Sequence, residues 1–185
     1  MSRELRRAVF FDRDGVLNRP MVRSGKPYPP ATLDEFEILP DAFDAVALLR
    51  KLGFELFVIT NQPDVARGTQ QRAVVEAMHQ KLRDALGLNH FYVCYHDDGE
   101  ACDCRKPKPG FLLQAAVEHH LSLPDSYMIG DRWRDVECGH AAGCKTIFID
   151  YGYSEQLRTS PEFRVPDLRS AAGVIYSQEG AFANL

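Results

Sequence analysis

No apolar run in this 185-residue chain approaches the length a membrane-spanning helix needs. The N-terminus carries Arg3, Arg6 and Arg7, but the apolar stretch behind them, Ala8 to Phe11, is short and runs into acids, so no secretory signal is expected. Neither half is strongly basic, and 22 basic against 26 acidic residues give a formal charge of −4, which argues against nucleic acid as a partner. Internal repeats and low-complexity tracts are missing, so a repeat array is not expected. Cysteine is scarce and odd in number: of five, three fall between Cys94 and Cys104. The expectation is a cytoplasmic chain, a monomer in preference to an oligomer, whose clustered thiols serve a metal before a disulfide. The length suits one domain over residues 1–185 with a full core.

What is present centres on Phe10-Phe11-Asp12-Arg13-Asp14-Gly15-Val16-Leu17-Asn18. Ala8 to Phe11 reads as a short buried parallel strand that stops at two acids and a glycine. A bare Asp-x-Asp is ordinarily a strand ending in a polar turn. Here the apolar strand before it and Gly15-x-x-Asn18 after it favour a catalytic reading. Carboxylates this close repel unless a cation or a proton intervenes, so the pair reads as a Mg²⁺ site where one acid attacks and the other moves protons.

Further along, residues 19–33 are polar and rich in proline and glycine, a structured flap leaving the acid end of the first strand. Arg19, Arg23 and Lys26 either face an anionic substrate there or form a solvated basic loop. A helix follows from Pro40 with Asp41 as N-cap, an apolar face of Phe43, Val46, Leu49 and Leu52, and a stop at Gly53. Residues 54–59 form a second strand ending at Thr60-Asn61-Gln62, and Thr69 caps a helix closed by Gly87. Residues 91–93 give a third strand, Pro109 opens a helix, and residues 127–130 form a fourth strand ending at Asp131. A short helix runs to about Gly143, residues 145–149 form a fifth strand, residues 150–165 a long loop, and 166–175 a closing helix. Such alternation predicts an α/β fold with a doubly wound parallel sheet, and ligands there sit beyond the carboxyl ends of the strands. Asp12, Asp14, Thr60, Asn61 and Asp131 all fall at that end.

In this arrangement the chain resembles the haloacid dehalogenase-type (HAD) phosphatases. The match rests on Asp12-Arg13-Asp14-Gly15, on Ile59-Thr60-Asn61, on Lys106 within Cys104-Arg105-Lys106-Pro107, and on Gly130-Asp131 with Asp135. Within the superfamily it is similar to the D-glycero-D-manno-heptose 1,7-bisphosphate phosphatases and to the histidinol-phosphate phosphatase domain. The stretch Asn61 to Gly68 resembles the heptose branch, while the short gap between the halves of the cysteine cluster is nearer the histidinol-phosphate branch. The heptose reading is favoured, and a phosphorylated sugar is the expected small-molecule partner.

The resemblance implies a capless HAD Rossmann-like sheet of strand order 3-2-1-4-5. It implies Mg²⁺ held by Asp12, by the Asp14 main-chain carbonyl and by Asp131, with Asp135 one layer further out. It also implies an aspartyl-phosphate route: Asp12 as nucleophile, Asp14 as proton donor and acceptor, Thr60 and Lys106 stabilising the transferring group. Asn61 and Gln62 are expected near the substrate, Asn61 holding it or Asp14; Arg105 and Arg132 are expected to grip its non-reacting part. Cys94, His96, Cys102 and Cys104 make a closed Zn²⁺ shell in a loop over residues 94–104, structural in role, that aims Arg105 and Lys106 at Asp12. Cys138 and Cys144 read as small core residues, and His79, His119 and His120 as solvated helix residues.

Overall fold

A computed structural model describes residues 5–182 of the chain. Its strands are β1 (Ala8–Phe11), β2 (Met21–Arg23), β3 (Lys26–Tyr28), β4 (Glu55–Asn61), β5 (His90–Cys94), β6 (Tyr127–Gly130), β7 (Lys145–Ile149) and β8 (Phe163–Val165). Its helices are α1 (Pro40–Lys51), α2 (Arg72–Leu86), α3 (Gly110–His119), α4 (Trp133–Ala142) and α5 (Leu168–Phe182). Six strands form one sheet in the order β5-β4-β1-β6-β7-β8, with every neighbouring pair parallel. The five expected strands keep their expected order. Two features were not expected: β8 adds a sixth strand beside β7, and the flap folds as the antiparallel hairpin β2-β3.

Period-two alternation along β1 builds both halves of the core. Val9 and Phe11 face one side, with Val58, Ile129 and Ile147, under α1, α2 and α5. Ala8 and Phe10 face the other, with Phe57, Ile59 and Met128, under α3 and α4. Because both faces are covered, all four β1 residues are fully buried, and the strand reads as an unbroken apolar run. Only the hairpin lies between β1 and the segment leading to α1, and only the 95–109 segment lies between β5 and α3. The carboxyl end of the sheet therefore carries no inserted cap among the described residues.

Several local expectations are corrected. Leu39, not Asp41, precedes the first turn of α1, and the Asp41 carboxylate accepts from Arg169 N at the other end of the chain. Thr69 lies outside α2, which Gln71 leads, because Thr69 N is taken by Asp64 O. Phe43 stays exposed, while α1 buries Ala42 and Ala45 beside the expected Val46 and Leu49. His79 is fully buried against Phe91, and His119 packs on the rings of Phe57 and His90. Cys138 and Cys144 are buried, as expected.

Phe57 is fully buried at the centre of a ring cluster with Phe10, His90, Tyr92 and His119. Phe57→Ala should lower unfolding free energy in urea by about 3–5 kcal/mol, because the cavity cannot collapse between two covered faces.

Candidate active site

Asp12 follows β1 directly, and its amide still donates to Ile129 O (2.9 Å), so the sheet itself fixes the start of the loop. The chain then turns tightly: Val16, Leu17 and Asn18 all donate to Arg13 O, and Gly15 adopts φ +86°. A Cβ at Gly15 would stand 1.9 Å from Asp131 Oδ2. Glycine is thus required twice, for the left-handed turn and for the close approach of a carboxylate from β6.

Asp12, Asp131 and Asp135 bring carboxylate oxygens within 4.8 Å of one another. Lys106 Nζ lies 2.9 Å from Asp12 Oδ1 and 2.7 Å from Asp135 Oδ1, and donates to Ile59 O at 2.8 Å. Burial opposes the charge on Lys106, but Asp12 and Asp135 outweigh it and raise its pKa. Burial pushes the Asp12 carboxyl up to about 6 even though Lys106 pulls it down, with Asp135 and Asp14 adding repulsion. Asp131 is raised well above the usual range, first by burial and then by Asp12 and Asp135. Among the described residues neither of its buried oxygens has a hydrogen bond of good geometry; the Tyr153 hydroxyl is the polar group facing it. Buried carboxylates normally find full partners, so three clustered acids with one ammonium, paired to Asp12 and Asp135, fit a hard dication with oxygen ligands such as Mg²⁺.

Asp14 points elsewhere. Its carboxylate accepts from Arg13 Nη2 (3.0 and 2.8 Å), Asn18 Nδ2 (2.9 Å) and Gln62 Nε2 (2.9 Å). Burial works against its charge, yet Arg13, then Asn18 and Gln62, hold its pKa below the usual carboxylate value. Arg13 is itself fully buried and contacts His79 Nε2 at 3.2 Å. Burial first and the Arg13 charge second lower His79 to about 4, so the ring is neutral and accepts that bond.

The Thr60-Asn61-Gln62 run divides its tasks. Gln62 Nε2 bonds both Asp14 and Thr60 Oγ1 (3.0 Å), leaving the Thr60 hydroxyl proton free for another acceptor. Asn61 clamps the Lys106 backbone: Nδ2 donates to Lys106 O (3.0 Å) and Oδ1 accepts from Lys106 N (3.1 Å). Holding Asp14 thus falls to Gln62, where the sequence had suggested Asn61. Asp135 also accepts from Arg132 N (3.0 Å) and closes the capping box at the start of α4.

Cys94, at the end of β5, gathers with His96, Cys102 and Cys104. Sγ of Cys94 is 3.5 Å from His96 Nδ1, 4.0 Å from Cys102 Sγ and 3.3 Å from Cys104 Sγ, and Cys104 Sγ is 3.4 Å from His96 Nδ1. Ligands about 2.3 Å from a tetrahedral Zn²⁺ stand roughly 3.8 Å apart, so the set fits that ion with no position left for water. Arg105 Nη1 donates to His96 O (3.2 Å), which ties the cluster to the site. Gly110 lets the loop close, since a Cβ there would stand 2.1 Å from Asp103 O.

Asp12, Asp14, Thr60, Asn61, Lys106, Asp131 and Asp135 open onto one cavity, which Arg67, Arg105, Arg132 and Arg134 also line. Arg132 is paired with Glu155 (2.6 and 2.7 Å) and Arg105 with Asp98 (2.8 and 3.0 Å). From the hairpin the cavity takes Pro27, Tyr28 and Pro29; of the expected flap cations, Arg19 is tied to Glu37 and Arg23 rests over Tyr28. Arg67, Arg134 and Asp98 were not singled out in the sequence. The available signals were an arginine inside the Asn61–Gly68 run and another between Asp131 and Asp135.

A family model described as HAD-hydrolase-like matches residues 103–171. The chain is 36% identical over 153 residues to a D-glycero-beta-D-manno-heptose-1,7-bisphosphate 7-phosphatase of Pseudomonas putida, covering 80% of this chain and 85% of that one. The chain belongs to the HAD-like phosphatases. A relative of the same name from Escherichia coli K12 is 38% identical over 151 residues, with 75% of this chain and 76% of the other covered. Among solved HAD-like structures, a D,D-heptose 1,7-bisphosphate phosphatase from B. bronchiseptica, crystallised with magnesium and phosphate, superposes with a TM-score of 0.80 at 27% identity. That match covers 93% of this chain and 99% of the other.

Two measurements check the metal sites. In the metal-free fold Asp12 sits at about 6 against an ordinary 3.8, so ionising it costs stability as pH rises through that window. A dication removes the cost, so the rise in Tm on adding Mg²⁺ should be larger near about pH 7.5 than near about pH 5, and Asp131→Asn should abolish it. Metal analysis of the purified protein should find zinc, and Cys102→Ser should lose it with a fall in Tm.

Proposed function

We propose that the chain hydrolyses a phosphomonoester through a covalent phosphoryl group on Asp12. One observation carries the reading: a buried cluster of three carboxylates surrounds a buried lysine at the carboxyl end of the sheet. Mg²⁺ held by Asp12 and Asp131 would offset the repulsion between an attacking carboxylate and a phosphate anion. Asp12 attacks phosphorus in line, and the P–O bond to the sugar breaks as the Asp12–phosphoryl bond forms. Lys106, already within 2.9 Å of Asp12, faces the charge on the phosphoryl oxygens, and the free proton of Thr60 is available to one of them.

Asp14 handles the protons. Arg13 holds it ionised in the free protein, which is the form that takes a proton from water. The approach of a phosphate dianion opposes that charge and drives the carboxylate to take up a proton, which it gives to the leaving alkoxide. Ionised again, it accepts a proton from the water that attacks the phosphoryl group on Asp12, releasing phosphate and restoring the carboxylate. The ties to Arg13, Asn18 and Gln62 keep it turned from the Asp12–Asp131–Asp135 cluster, so a cation there does not lock it ionised.

The substrate supported best is D-glycero-D-manno-heptose 1,7-bisphosphate, losing its 7-phosphate. The relatives' names favour it, and the arginines at the cavity mouth suit a second phosphate beyond the reacting one. Residues 1–185 act in this reading as one phosphatase domain. Phosphorylated sugars and a thiolate site together suit the cytoplasm.

Phosphate release in the presence of Mg²⁺ should be far faster with heptose 1,7-bisphosphate than with histidinol phosphate, and a preference for histidinol phosphate would overturn the substrate assignment. Asp12→Asn should reduce turnover by more than about a thousandfold while keeping the circular dichroism of the wild type; near-normal activity would remove Asp12 as nucleophile.

A further inference from the structure

Three guanidinium groups at the cavity mouth converge on one carboxylate. Asp98 Oδ1 accepts from Arg105 Nε (3.0 Å) and Nη2 (2.8 Å) and lies 3.5 Å from Arg134 Nη2. Its Oδ2 lies 3.4 Å from Arg67 Nη2. The Asp98 side chain is nonetheless 55% exposed, on the same cavity as Asp12 and Lys106.

Each arginine keeps an anchor that does not involve Asp98. Arg105 is largely buried and donates to His96 O, inside the zinc cluster. Arg67 also pairs with Asp64 (3.3 Å) and Asp97. Arg134 rests over the Trp133 ring, 4.9 Å from its centroid. The cluster therefore persists if Asp98 leaves. The Asp98 backbone is held by its own turn, Asp98 N donating to Asp97 Oδ1 and Glu100 N to Asp97 O, so the exchange asks only the exposed side chain to move.

We propose that Asp98 is a specificity-determining residue: an exchangeable counter-ion that holds the place of the substrate's non-reacting phosphate. The proposal rests on the bisphosphate reading above and deepens it. With Asp98 in place the guanidinium cluster is satisfied and offers little to a monophosphate. A second phosphate makes charge-assisted forked bonds to the same arginines and displaces the carboxylate, whose charge returns to water. Asp98 thus tempers the preference for a bisphosphate, because displacing it offsets part of what the arginines contribute to the second phosphate.

Steady-state kinetics on wild type and Asp98→Asn test this with heptose 1,7-bisphosphate and heptose 7-phosphate, the latter carrying only the reacting group. Removing the competitor should raise the ratio of kcat/KM for the bisphosphate over the 7-phosphate about tenfold, and Asp98→Glu, which keeps the charge, should bring the ratio back down. A ratio unchanged or lowered in Asp98→Asn overturns the exchange. Failure of the wild type to hydrolyse either compound refutes the substrate reading alone, because the exchange has its own readout. Trp133 is the chain's single tryptophan and carries Arg134 on its ring, so its fluorescence reports anion capture as inorganic phosphate is titrated in. The half-saturating phosphate concentration should be about tenfold lower in Asp98→Asn, and equal values in the two proteins overturn the proposal.

Discussion

The Lys106 ammonium, 2.9 Å from Asp12 and 2.7 Å from Asp135, is the cation around which the site is assembled. It offsets part of the repulsion among three buried carboxylates, and the remainder falls on Asp131, whose oxygens have no hydrogen bond of good geometry among the described residues. An ionised carboxylate stripped of water is strongly unfavourable unless a charge or a hydrogen bond compensates. Burial and mutual repulsion therefore raise the pKa of Asp12 and Asp131, and a dication held there would complete the charge balance. The fold tolerates this frustration because β1 and β6, which deliver the two acids, are buried on both faces and cannot relax apart.

Placing Lys106 takes three independent ties. Asn61, at the end of β4, clamps its backbone from both sides, and Ile59 O receives its ammonium. The cysteine–histidine cluster fixes the loop that precedes it, and Arg105 carries that order into the cavity by bonding His96 O. A metal held there would order the loop that carries Lys106 without entering the cavity. A long flexible side chain otherwise loses substantial rotamer freedom on being held in one position. Tethering its backbone twice reduces how much of that ordering the substrate must supply.

The two acids of the first loop are kept apart in function by their partners. Asp12 faces Lys106 and the other carboxylates, whereas Asp14 faces buried Arg13, Asn18 and Gln62. One environment raises a pKa and the other lowers it, so neighbours two residues apart are electrostatically distinct. The neutral His79 ring behind Arg13 links that pair to α2, so a helix with no residue in the cavity helps position Asp14.

Period and punctuation made much of this legible in advance. Buried parallel strands advertise themselves as short apolar runs, and acids that end them, such as Asp12 and Asp131, must lie at one edge of the sheet. The cysteines and histidine of the cluster lie close in the chain, so their spacing together with the family resemblance marked Cys94, His96, Cys102 and Cys104 as one set. Other features depended on contacts between distant segments. Which amide of Asn61-Gln62 would hold Asp14 was decided by where the 105–107 backbone passes. The burial of His79 was decided by Arg13, 66 residues away, and the short Phe163–Val165 strand exists only because β7 offers it an edge. Asp98 and the arginines around it were silent for the same reason. A charged residue in a polar loop looks solvated in any sequence, and only tertiary packing shows that Arg67, Arg105 and Arg134 close on it. The sequence by itself determined the chemistry available at the sheet's edge; tertiary structure decided the pairing, because ion pairs depend on distances in space that no local pattern encodes.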